Sequence, residues 1–256
     1  MIVYLPFWGV VALSLVALQA SADNNMAKIT AGSYTPLFKV DNAPQTIAVN
    51  SFLIDKYPVT NQQFTDFVAV NTVWTIKDVK PIFADQNYLA QFGDNSLENA
   101  QQPVTNVSWF ASRAYCKALG KRLPTTDEWE YVAQASANKA NGRGDSEQQK
   151  LILDWYAKPA TEALADVQQT PVNYWGVYGM HGAVWEWVND FNNILSTGES
   201  RGDSQLEQDL FCGAGAAASV DPSDYAAFMR YAFRSSLQAN YTLASLGFRC
   251  AKNADE

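Results

Sequence analysis

The sequence predicts an α+β fold, and three observations predict it. Two capping boxes and a further N-cap open short amphipathic helices between residues 60 and 136. Short alternating or aromatic runs precede and follow them, and these read as strands joined by irregular loops. Hydrophobic residues make up 48% of the 256 positions and charged residues only 17%, enough to bury a large core, with no composition break to mark a second one.

The elements follow in order. Residues 1–22 read as a signal peptide, with the apolar run FWGVVALSLVAL (7–18) and a small-x-small signal at Ala20 and Ala22. Cleavage is expected after Ala22. The n-region has no Lys or Arg, so an uncleaved anchor is the alternative. The run is short for a span of about 20 residues. Residues 23–256 are then one domain, exported to the periplasm or secreted, with no membrane span after leader cleavage. Residues 29–34 and 46–53 alternate as half-exposed strands. Thr60 and Gln63 form a capping box, and Phe64, Phe67 and Val68 predict a helix to about Val70. Residues 71–102 are an aromatic, structured excursion.

A second helix starts near Ser108, with Ala111, Ala114, Tyr115, Ala118 and Leu119 as its apolar face and Gly120 after its end. Thr125 and Glu128 cap a third, whose buried stripe is Trp129, Val132, Ala133 and Ser136. Residues 138–149 read as a surface loop. Residues 151–156, 184–188, 227–233 and 246–251 read as strands. PVTN occurs at 58–61 and again at 103–106, each leading an extended segment into a helix.

Composition excludes several function classes. With 18 basic and 26 acidic residues the net charge is −8, and there is no basic run, so nucleic acid is not an expected partner. One histidine rules out a three-His metal site and an HExxH site within the chain. Three cysteines rule out a four-cysteine zinc site.

Four segments in register resemble the formylglycine-generating-enzyme (sulfatase-modifying factor) family. They are PVTNQQF (58–64); PVTNVSWFA (103–111) running through GKRLPTTDEWEY (120–131); WGVYGMHGAVWEW (175–187); and RYAFRS (230–235) ending in GFRC (247–250). The resemblance implies an irregular C-type-lectin-like α+β domain. It also implies a disulfide between Cys116 and Cys250. The family's reaction oxidises a substrate cysteine on copper held by two cysteines just before the RxxxR segment. Here those positions fall near Asp221 and Ala226, and residues 220–229 contain no cysteine. Copper(I) prefers thiolate or thioether ligands, so a formylglycine-generating oxidase is not the expected activity. Whether the chain is an enzyme at all stays open.

The remaining candidates each carry two readings. Cys212 is either an inert buried thiol or a single copper or redox ligand beside Met229 or His181. His181 is either a hydrogen-bonded structural residue or a ligand or base. Arg230 and Arg234 share a face whether helical or, as expected here, extended. The resemblance makes them groove-lining residues, and salt bridges are the alternative. Structural calcium, frequent in the family, has Asp154, Asn173 and Glu186 as oxygen donors.

The segments around residues 211–242 most resemble the exported branch associated with copper nitrite reductase (NirV type). That implies an accessory or maturation protein in denitrification, holding a protein or peptide partner in the periplasm. The alternatives are a divergent periplasmic oxidoreductase, like the superfamily's siderophore-maturation members, and a lectin-like ligand binder.

Overall fold

The computed structural model describes residues 25–36, 46–91, 99–158, 163–192 and 222–254. The leader and Cys212 lie outside the described residues. Among the described residues, seven short strands and five α-helices surround one core, and much of what lies between them is irregular. Strands β1 (Met26–Ile29), β4 (Phe52–Asp55) and β7 (Ala251–Asn253) form an antiparallel sheet in the order β1-β4-β7. Strands β2 (Gly32–Tyr34) and β3 (Ile47–Val49) form a second antiparallel pair. The runs expected to be single strands at 29–34 and 46–53 are each split between these two sheets.

Helix α1 (Asn61–Val70) begins at the capping box of Thr60 and Gln63, and Phe64, Phe67 and Val68 are its buried residues. Helix α2 (Trp109–Ala118) is capped by the Ser108 hydroxyl, which accepts from the Ala111 amide. Gly120 follows it at φ +67°, the left-handed conformation that stops a helix without a Cβ penalty. The buried face of α2 is Ala111, Ser112, Tyr115 and Cys116 rather than the one expected, and Ala118 and Leu119 are exposed. Cys116, on this buried face, is joined to Cys250 by a disulfide. Helix α3 (Thr126–Ala133) has the Thr125–Glu128 capping box, and Arg122 clamps Glu128 with two hydrogen bonds of 2.7 Å.

Two further helices correct the expected strands. Residues 151–156 lie in α4 (Ser146–Tyr156), and residues 227–233 in α5 (Pro222–Ser235). Helix α4 starts inside the stretch read as a loop, because Asp145 accepts from the amides of Glu147 and Gln148. Its buried positions, Gln148 and Ile152, are four apart. The buried stripe of α5 and the turn after it is Ala226, Arg230, Arg234 and Leu237. Two arginines in that stripe hide its period from a hydrophobic reading.

The motifs converge in the core. The two PVTN segments pair side by side: Thr60 and Pro103 form an antiparallel bridge, and the Val104 amide donates to the Val59 carbonyl at 2.8 Å. Strand β5 (Trp185–Glu186) runs parallel to β6 (Leu246–Gly247). A Cβ at Gly247 would sit 2.5 Å from the Val104 carbonyl oxygen, so only glycine permits this approach. The Trp187 indole donates to the Val107 carbonyl at 2.8 Å.

Arg249 and Glu186 lock these pieces together, and both side chains are fully buried. Arg249 Nε and Nη2 donate to the two Glu186 oxygens at 2.8 and 2.7 Å. Its other N–H groups reach the carbonyls of Asp55, Lys56 and Tyr178. The Trp129 indole adds a third donor to the carboxylate at 2.8 Å. Replacing either Arg249 or Glu186 by Leu should cost about 3–5 kcal/mol, because the other charge is left buried alone. The double variant should lose less than the sum of the two, as read from urea unfolding midpoints.

Candidate functional site

The region in which the sequence places its arginines is built on α3, α4 and α5. Arg230 and Arg234 lie one turn apart on α5 and are 6% and 5% exposed. Both reach Glu130 on α3: Arg230 Nη2 donates to Oε2 at 2.7 Å, and Arg234 Nη1 to Oε1 at 2.7 Å. Arg230 Nε adds bonds of 2.9 and 3.2 Å. Both guanidiniums also stand over the Trp129 indole, 5.2 and 4.9 Å from its centre. Burial alone would push the Glu130 carboxyl up, but the two guanidiniums outweigh it and hold it at about 2. This arrangement fastens α5 to α3. It presents no free cation to a substrate from these two residues.

His181 is 5% exposed. Its Nε2 lies 3.0 Å from the Ala133 carbonyl, which only accepts, so Nε2 carries the proton. Burial first, and then the positive Arg230, hold the imidazole down at about 4. It is therefore neutral at physiological pH, with its Nδ1 lone pair buried and without a partner among the described residues.

The face above this cluster is aromatic and half-buried. Trp185 stacks on Phe233 of α5 at 4.6 Å between ring centres and meets Trp155 of α4 at 5.3 Å. Tyr156 meets Tyr225 at 5.4 Å, and its hydroxyl donates to the Ala226 carbonyl. Such a surface can hold an apolar or peptide ligand, and among the described residues it carries no free thiol.

The calcium candidates are committed elsewhere. Both Glu186 oxygens face Arg249, and the Asn173 side-chain oxygen accepts the amides of Trp175 and Val177. Asp154 pairs with Lys150 on the exposed face of α4. Among the described residues no group of three His, Cys, Asp or Glu side chains could hold a metal, and these three residues do not fit a calcium ion. Cys116 and Cys250 are joined as a disulfide. That leaves Cys212 as the one other cysteine in the sequence. The family's two-thiolate copper centre therefore does not fit the donors present.

Glu130, Trp129 and Arg249 were not singled out for roles from sequence. The available signal was the position of all three inside the EWEY and GFRC motifs. Arg230 and Arg234 at helical spacing also require a carboxylate when buried.

His181 makes a pH signature. Below its ordinary value of 6.5 an unfolded chain takes up a proton on this imidazole, whereas the folded protein resists until about 4. Stability should fall as pH drops through that window, by up to about 1.4 kcal/mol per unit. His181→Asn should flatten the slope between pH 6.5 and 5, measured by urea unfolding at stepped pH.

A family model described as the sulfatase-modifying factor enzyme 1-like domain matches residues 15–254. The chain is 29% identical over 249 residues to the inactive C-alpha-formylglycine-generating enzyme 2 of Mus musculus, covering 81% of this chain and 77% of that protein. It is 27% identical over 216 residues to the serine/threonine-protein kinase pkn1 of Chlamydia caviae. That match covers 80% of this chain but only 34% of the chlamydial protein, so the chain spans about a third of that relative's length. Among solved structures, the crystal structure of CarF superposes with a TM-score of 0.53 at 16% identity, over 90% of this chain and 98% of that one, a likeness of fold. By the span of the family match and the packing of its motifs, this chain belongs to the sulfatase-modifying factor enzyme 1-like (formylglycine-generating-enzyme-like) domain family.

Proposed function

We propose that the protein is an exported, non-catalytic member of its family that holds a protein or peptide partner. On this reading it works as an accessory to a periplasmic enzyme system of the copper nitrite reductase type. The observation that carries the proposal is chemical. Residues 220–229, where the family's copper thiolates are expected, contain no cysteine. Ala226, near one of those positions, is fully buried, and its carbonyl accepts the Tyr156 hydroxyl. Without paired thiolates the copper oxidation has no site.

Two features support a binding role. The charges beneath the site are spent on each other, since Glu130 pairs with both arginines. The surface left above them is half-buried aromatic, with Trp155, Trp185, Tyr225 and Phe233 on adjoining elements. Aromatic side chains of this kind anchor peptide partners at low entropic cost. The mouse relative described as inactive is consistent with a family scaffold kept without the reaction.

The test is turnover. The full chain, supplied with copper(I) and oxygen, should convert no cysteine in a sulfatase-derived peptide to the aldehyde, read by mass spectrometry. Reproducible aldehyde that disappears in Cys212→Ser would establish the divergent-oxidoreductase reading instead. Export has its own check. After expression in a Gram-negative host the chain should be found in the periplasmic fraction, beginning at Asp23. Cytoplasmic retention would overturn that part of the proposal.

A further inference from the structure

A second concavity includes His181, described above, in its lining. It is a cavity of about 170 Å³ between the segment after α3, the first turns of α4 and the loop before β5. An engineered apolar cavity of ~150 Å³ admits benzene, so a ring-sized molecule fits here. Leu151, Val177 and Met180 supply apolar wall. Asp145 and Glu147 bring carboxylates to the lining, and no Lys or Arg lines it among the described residues.

Gln148 is the informative residue. It lines this cavity and is 9% exposed. Its backbone amide is used by the Asp145 cap. Its side-chain amide has no hydrogen-bond partner among the described residues, yet it is not among the sealed polar atoms. It opens into the cavity, so whatever fills the cavity, solvent or ligand, meets it. A glutamine offers one acceptor and two donors at a fixed angle. Its best single complement is another carboxamide, which can return a donor to the Gln148 oxygen and an acceptor to its nitrogen.

We propose that this cavity is a binding site for a small neutral carboxamide, gripped reciprocally by the Gln148 side chain with its apolar body against Leu151, Val177 and Met180. The Glu147 carboxylate, with that of Asp145 partly offset by Lys139 and the α4 cap amides, disfavours carboxylate analogues of the same shape. The carboxamide could be a free small molecule or the side chain of a peptide glutamine. The site does not depend on the proposed accessory role.

Protein-observed NMR titration of the full chain distinguishes the outcomes, using benzamide, benzoate, benzylamine and N-acetylglutamine methylamide as probes. Benzamide should bind in the millimolar range or tighter, as a ligand of its size allows, and shift the resonances of Gln148 and Leu151. Benzoate should bind at least tenfold more weakly. Gln148→Leu should weaken benzamide about tenfold with the rest of the spectrum unchanged. Gln148→Glu, which keeps the shape, should reverse the preference toward benzylamine and serves if the leucine variant fails to fold. Tighter binding of the glutamine derivative than of benzamide would support the site with a peptide as its source, and the opposite order would support it with a free amide. The proposal is overturned if benzoate or benzylamine matches benzamide on the unaltered protein, if Gln148→Leu folds and binds unchanged, or if none of the four probes binds.

Discussion

The buried pair of Arg249 and Glu186 is the constraint on which the rest of the structure depends. Strands of two to four residues cannot hold a fold by their ladders alone. The guanidinium instead gathers β5, the end of β4 and the loop at Tyr178 through its donors, while the Trp129 indole brings in α3. Every partner is a carbonyl or a carboxylate, so the charge is met on all sides and its desolvation is offset. A buried ion pair seldom adds much net stability. Its effect here is register: one arrangement of β4, β5, α3 and the Tyr178 loop satisfies it.

The same logic recurs one layer outward. Glu130 meets two arginines on α5, and Trp129 beside it stacks under both. Adjacent residues of α3 thus serve both clusters, with Trp129 bonded to Glu186 on one side and covered by arginines on the other. The placement of α5 is coupled through α3 to the central pair. The aromatic face between α4, α5 and β5 inherits its geometry from that coupling. That coupling sets where the half-buried rings of this face stand relative to one another.

Much of the front half was legible in the sequence because its signals are local. A capping box involves residues three apart, and both at Thr60 and Thr125 formed as read. Gly120 took the left-handed position. The back half was misread for a physical reason. LILDWY (151–156) is a short apolar run that suits either a strand or a helix, and the Asp145 cap that decides it lies six residues upstream. In α5 the buried stripe contains Arg230 and Arg234, whose burial is stable only because Glu130 arrives from a helix a hundred residues earlier. No local pattern announces that partner.

The sequence by itself determined the family, the α+β class, the first three helices, the Cys116–Cys250 pairing that its motifs imply, and the want of a second pair of thiols. These follow from residue identity and short spacing, which survive without coordinates. Only the tertiary structure decided that the PVTN segments pair with each other, that Arg230 and Arg234 answer to Glu130, that Glu186 is held by Arg249, and that Gln148 lines a cavity. Each of these is a meeting of side chains or strands far apart in the chain. Which polar group finds which partner is set by the one packing that leaves the fewest buried charges and amides unmet.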